Sequence, residues 1–244
     1  MSRLRLLQIF GAALLVVLVT LAPLRLALDI MGAERRGLAA RAATGTIWRG
    51  QLGDARFSAV DLGDVRLGLD IPGLFLGGGR LWFVAKGPAE GRGVLLMTGS
   101  RFGAAGLDAR LSLQTLMPAA PFSGRLRLED AHVEFRHGGC RSAKGRVRLE
   151  GLSLPGAAHG PDLVLSGGLS CRGRTLVAPL GGQAEGQRID MLLTLEGSGA
   201  YRAETWLRGT SADFESIAVL AGFERTMEGF RRVDQGRLGG GGPT

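Results

Sequence analysis

The chain has 244 residues, 45% of them hydrophobic and 21% charged, which leaves room for a sizeable core and excludes a disordered protein. Its 41 glycines against 6% aromatics suit short strands and turns better than a helical bundle. The net charge of +8 is carried almost wholly by arginines spaced singly among apolar residues, without a set of stacking aromatics. That pattern describes solvated strand faces and points away from nucleic acid.

Residues 6–24 form the first predicted element, 19 residues without a charge that would cover nearly 30 Å as a helix, close to a bilayer's apolar thickness. A cleaved signal peptide would share the basic start at Arg3 and Arg5, but its apolar core is shorter, and no clean Ala-x-Ala site follows here. The reading is an uncleaved transmembrane helix over 6–24, with residues 1–5 in the cytoplasm and a linker over 25–42. Arg25, Arg35 and Arg36 beyond the span weaken the charge contrast that would orient it.

The body, residues 43–238, alternates apolar with polar or small residues over 54–62, 65–70, 80–86, 94–99, 107–113, 124–128, 131–136, 145–154, 162–169, 188–195 and 201–208. Turn signals separate these runs, among them Gly77–Gly79, Gly138-Gly139, Pro155-Gly156 and Gly181-Gly182. The expected fold is mainly β: after the N-terminal helix, one curled antiparallel sheet of about a dozen short strands, sandwich-like or a partly open barrel. The segments Gly124-Arg-Leu-Arg-Leu-Glu and Gly145-Arg-Val-Arg-Leu-Glu echo each other, as two similar strands of one sheet would. A short C-terminal helix is expected from the capping residues at 210–213 and the spacing of Phe214, Ile217, Leu220 and Ala221. Residues 239–244 read as a disordered tail.

Cys140 and Cys171 are the only cysteines. In an oxidising compartment they are most simply a disulfide, contributing about 3–4 kcal/mol by loop closure. Two separate core thiols are the alternative, while a redox pair would want the closer Cys-x-x-Cys spacing. A disulfide would put the domain in the periplasm. His132, His137 and His159 lack the spacing of a zinc site, and Asp54, Asp61 and Asp64 do not fit an EF-hand. No nucleophile elbow, phosphate loop or metalloprotease motif occurs. The expectation is a protein without catalytic residues, metal or cofactor.

Two stretches after the first helix are distinctive: Gly45-Thr46-Ile47-Trp48-Arg49-Gly50, and 62–72, which opens on Leu62-Gly63 and ends on Pro72. At these residues the sequence resembles the protein N family of the bacterial type II secretion system. That family carries one N-terminal membrane span, a Gly-Thr-(Val/Ile)-Trp-x-Gly segment, and a Leu-Gly strand closing on proline. Leu67 and Gly68 stand where the family favours an aromatic. The resemblance implies an accessory or scaffold component at the inner membrane, facing the periplasm. Its partners would be other secretion subunits, the inner-membrane platform, the secretin or both. Gly45, Thr46, Ile47, Trp48, Gly50, Leu62, Gly63 and Pro72 are then candidate interaction residues, although Trp48 would equally suit the core of a first strand. The competing role is a periplasmic groove protein handling lipid or lipoprotein cargo. A carrier needs an apolar concave groove, whereas a scaffold would fill that concavity with side chains.

Overall fold

Alternating side chains leave each strand with one apolar edge to hide, and the chain hides it by curling a single sheet. The structure, a computed structural model, describes residues 3–58, 60–70, 78–116, 123–153, 163–184, 187–209, 216 and 218–237. Its strands are β1 (Leu38–Ala39), β2 (Ala42–Gly45), β3 (Gly50–Phe57), β4 (Val60–Leu69), β5 (Gly79–Lys86), β6 (Glu90–Thr98), β7 (Arg101–Ser112) and β8 (Ser123–Arg136). They continue as β9 (Gly139–Ser153), β10 (Leu165–Gly168), β11 (Ser170–Arg172), β12 (Thr175–Ala184), β13 (Gln187–Leu195), β14 (Ala200–Arg208), β15 (Glu224–Thr226) and β16 (Gly229–Arg237).

All pair antiparallel in one sheet that runs from β1 to β15 without closing, with β2 beside β3 and β11 beside β12. Leu95 of β6 and Tyr201 of β14 line the same cavity. Seven ladder spacings separate these two strands, about 34 Å in a flat sheet. The sheet is therefore strongly curled.

The first helix departs from expectation. α1 (Arg3–Thr20) stops short of the predicted span, and among the described residues no helix is long and apolar enough to cross a membrane. Pro23 accounts for the stop, since it offers no N–H and disfavours helical backbone in the residue before it. Leu24, expected inside the membrane, is only 2% exposed within the β domain.

The stretch expected as linker is also structured. α2 (Leu24–Met31) lays Leu24 and Leu28 against Leu52, Val65 and Leu67 of the first strands. It closes on Gly32, whose left-handed backbone lets its own N–H donate to Asp29 O and the N–H of Ala33 donate to Leu28 O. A 3-10 turn at Glu34–Arg36 then leads into β1.

The two echoing segments are neighbours. Leu126 pairs with Leu149 and Leu128 with Val147 on the inner face, while Arg127 meets Arg148 outside. The two runs predicted at 124–128 and 131–136 are one strand, β8, interrupted by a bulge at Asp130, where φ is 46°. Gly181-Gly182, read as a turn, lies inside β12, a strand that sequence alone passed over because it carries Pro179 and two glycines. Pro179 falls where the neighbour on one side changes from β10 to β11. A Cβ at Gly182 would come within 2.4 Å of Val164 O, so the glycine is demanded by contact.

A short helix, α3 (Leu113–Leu116), follows β7. The start of the expected C-terminal helix and the tail from 239 onward lie outside the described residues, but 218–220 are helical and end at Gly222. Ala218, Ala221 and Phe223 there pack with Leu113, Leu165, Leu207 and Phe230 into the main core.

Cys140 and Cys171 are joined as a disulfide between β9 and β11, with Cα atoms 5.7 Å apart. Cys140 packs with Phe135 and Leu176. Reduction should lower stability by about 3–4 kcal/mol, read as a shift of the urea midpoint between oxidised and reduced protein. An unchanged midpoint would show that the link constrains nothing.

Asp108 holds the β8 bulge: its carboxylate accepts Asp130 N–H at 3.0 Å and Arg92 Nε and Nη2 at 3.1 and 3.0 Å. The backbone donor first, then Arg92, keeps its pKa below the usual carboxylate value. A depressed folded pKa contributes stability above the unfolded value that is lost as pH falls through the folded one. The gap in thermal midpoint between wild type and Asp108→Asn should accordingly be largest near neutrality and shrink below about pH 4.

Candidate functional site

The last turn of a helix leaves carbonyls without partners, and the end of α1 finds them in the segment 45–50. Gly45 and Gly50 pair across a hairpin between β2 and β3. Thr46 and Arg49 close it, with Thr46 N donating to Arg49 O at 3.1 Å. Trp48 Nε1 donates to Val19 O at 3.0 Å, and Ile47 N donates to Ala22 O at 3.1 Å. Ile47 O in turn accepts Leu69 N at 3.0 Å, so the hairpin is tied to the helix on one side and to β4 on the other.

The glycines of this clamp are fixed by space. Gly45 has φ 82°, and a Cβ there would lie 2.5 Å from Arg49 O. At Gly50 a Cβ would strike Leu24 Cδ2 at 2.5 Å, so its absence admits the leucine that begins α2. Gly68 permits the closest approach, because its Cβ would fall 2.0 Å from Trp48 O. The aromatic that sequence comparison seeks near 67 or 68 sits across the ladder instead, as Trp82 opposite Gly68. Trp48, Trp82, Arg49 and Arg80 together wall a surface depression of about 460 Å³.

A second feature lies on the concave side. The inner residues of β7–β9 face those of β12–β14 across a cavity of about 390 Å³. One wall carries Phe102, Leu107, Leu126 and Leu128, and the other Leu176, Leu180, Met191 and Leu193. Ala104 and Ala178 contribute small side chains that leave the space between. Phe102 stacks on Phe135 with ring centroids 4.9 Å apart, beside the disulfide. Among the described residues the one polar side chain lining the cavity is Tyr201, whose phenol is pushed up in pKa by burial and then by the charge of Asp234. It therefore stays a protonated hydrogen-bond donor.

The outer face is a lattice of ion pairs. Glu129 meets Arg127 at 3.1 Å and Arg146 at 3.4 Å, and Glu204 meets Arg202 at 2.7 Å and Arg231 at 3.1 Å. The carboxyl of Glu204 is held below its usual pKa, mainly by Arg202.

The sequence-based candidates thus fall into three places. Gly45, Thr46, Ile47, Trp48 and Gly50 converge on the clamp. Leu62 and Gly63 lie further along β4, Leu62 against the core beneath α2 and Gly63 at a register shift in close contact with Gly87. Pro72 lies outside the described residues. Cys140 and Cys171 belong to the wall around Phe135. Sequence reasoning missed Gly68 and Trp82 as clamp residues, although a glycine opposite a tryptophan in paired strands is the signal that could have found them. Among the described residues no group of three or more metal-binding side chains is present.

No curated protein matches the chain, and no solved structure does. Residues 36–231 match the family described as type II secretion system (T2SS), protein N, from the 3-10 turn before β1 into β16. The clamp hairpin and the β4 strand that family resemblance singled out lie inside that match, and the chain belongs to the type II secretion system protein N family.

Proposed function

We propose that this protein is an accessory scaffold of the type II secretion machinery, held at the inner membrane by α1 with its β domain in the periplasm. The observation that carries the reading is the family match, which covers nearly the whole β domain. The surface of α1 supports the membrane placement: Leu7, Ile9, Phe10, Leu14, Val16 and Val17 are all exposed, as suits a helix whose surroundings are lipid. Trp48, which bonds to Val19 O, shares a surface depression with Trp82, Arg49 and Arg80, and these residue types favour the headgroup layer. The disulfide agrees with an oxidising compartment.

Contact with the secretin or the inner-membrane platform would be made by side-chain surfaces and by the free edge of β16. Residues 233–237 of that strand pair with β14 on one side and have no strand on the other among the described residues. An open edge of this kind accepts an added strand from a partner.

Photocrosslinking from Arg49 and Gln235 in living cells tests the role. Recovery of secretin or platform subunits is the expected result, and recovery of none from either position would remove the scaffold reading. Alkaline phosphatase fused after the β domain should be active, because it folds only outside the cytoplasm.

The clamp has its own test. Trp48→Phe keeps an aromatic ring and deletes one donor, which should cost about 0.5–1.5 kcal/mol. Gly68→Val should disturb the helix junction more, since its side chain must displace the Trp48 backbone. Limited proteolysis between α1 and β3 reads both, with faster cleavage expected in the order Gly68→Val, Trp48→Phe, wild type.

A further inference from the structure

We propose that the concave cavity between β7–β9 and β12–β14 binds an acyl chain of a membrane phospholipid. The inference rests on the membrane placement of α1 given under the proposed function. It goes beyond that reading in assigning the β domain a ligand.

The walls decide the ligand class. Apart from Tyr201, the lining residues carry apolar side chains or none. Water held there would lack the two to four polar partners that it needs. A peptide segment is excluded by the same logic: the strands that form the walls spend their backbone groups on each other, so an entering peptide would bury its own unpaired. An unbranched hydrocarbon chain asks for no hydrogen bond. The volume of about 390 Å³ falls in the range of small-ligand sites, roughly 300–1,000 Å³.

The space is also built rather than left over. Ala104 and Ala178 put methyl groups where neighbouring inner positions carry leucine or phenylalanine. Phospholipid is the acyl source that the membrane placement of α1 would put beside the β domain.

The test uses the full chain reconstituted in vesicles of phosphatidylethanolamine and phosphatidylglycerol, doped with a phosphatidylethanolamine that carries a diazirine in one palmitoyl chain. After irradiation, label is mapped by peptide mass spectrometry. We expect it on α1 and also on wall residues within 126–135, 176–180 and 191–195. Ala178→Phe and Leu193→Trp, which fill the cavity, should reduce wall labelling about tenfold while leaving α1 labelling unchanged as the control for insertion.

Label on α1 alone would overturn the assignment, as would wall labelling that both filled variants leave intact. Wall labelling by a diazirine lipopeptide but not by the phospholipid would overturn it in favour of lipoprotein cargo. Label on the walls without α1 would leave the cavity standing and overturn the membrane placement instead. Because absence of wall label on the wild type overturns the proposal without either variant, a variant that fails to fold does not rescue it.

Discussion

An antiparallel sheet that does not close must still remove one face from water, and here that requirement shapes almost everything else. The inner face of β8 and β9 meets as Leu126 with Leu149 and Leu128 with Val147, and no separate layer of helices covers it. Coverage comes from the sheet itself, curled until β12–β14 face β7–β9, with α2 closing the first strands and the 218–223 segment closing the last. The same alternation sends the arginines outward, where directly opposed like charges such as Arg127 and Arg148 would repel. Glu129 and Glu204 each bridge two arginines and offset that cost. Exposed pairs of this kind add little each, so the arrangement serves solubility and register more than stability.

The junction with α1 follows a second rule, that a helix end must give its carbonyls to something. Val19 O and Ala22 O receive donors from Trp48 and Ile47, residues of the β domain. Since Leu24 enters the core one residue after Pro23, nothing between helix and sheet can act as a free tether. Force or tilt applied to α1 is passed to β3 and β4 through the hairpin. Gly50 and Gly68 make this possible by giving up their side-chain volume to Leu24 and to the Trp48 backbone.

Much of the fold was legible in the alternation. The β-rich class, the single antiparallel sheet, the place of the two echoing segments as strands of that one sheet and the cysteine link all follow from residue pattern. What escaped did so for physical reasons. β12 hides because Pro179, Gly181 and Gly182 are strand breakers by propensity, and only the local change of neighbour and the close approach of Val164 make them suitable. The end of α1 was read four residues too late because leucine at 21 and 24 continues the hydropathy, whereas the break depends on Pro23 and on a core that Leu24 meets only in three dimensions. Trp48 was weighed as core or contact. The structure shows it half-buried, with its indole nitrogen donating to Val19 O. The cavity could not be read at all, since a volume left between two walls depends on how far the sheet curls and not on any one strand's pattern.

The two roles weighed for a protein of this kind, scaffold and lipid handler, need not compete for surface. A scaffold contact draws on the polar outer face and on the free edge of β16, while an acyl chain takes only the apolar interior. What connects them is rigidity. The interior walls are pinned by the disulfide beside Phe135 at one end and by the packed 218–223 segment at the other, and the first strands are pinned to α1 by the clamp. Whatever occupies the interior is therefore held in a fixed orientation to the helix, and a partner docked on the outer face reads that same orientation. A flexible tether would have let the β domain tumble and blurred both. The seam between Trp48 and Val19 is thus the feature through which α1 and the β domain share one geometry.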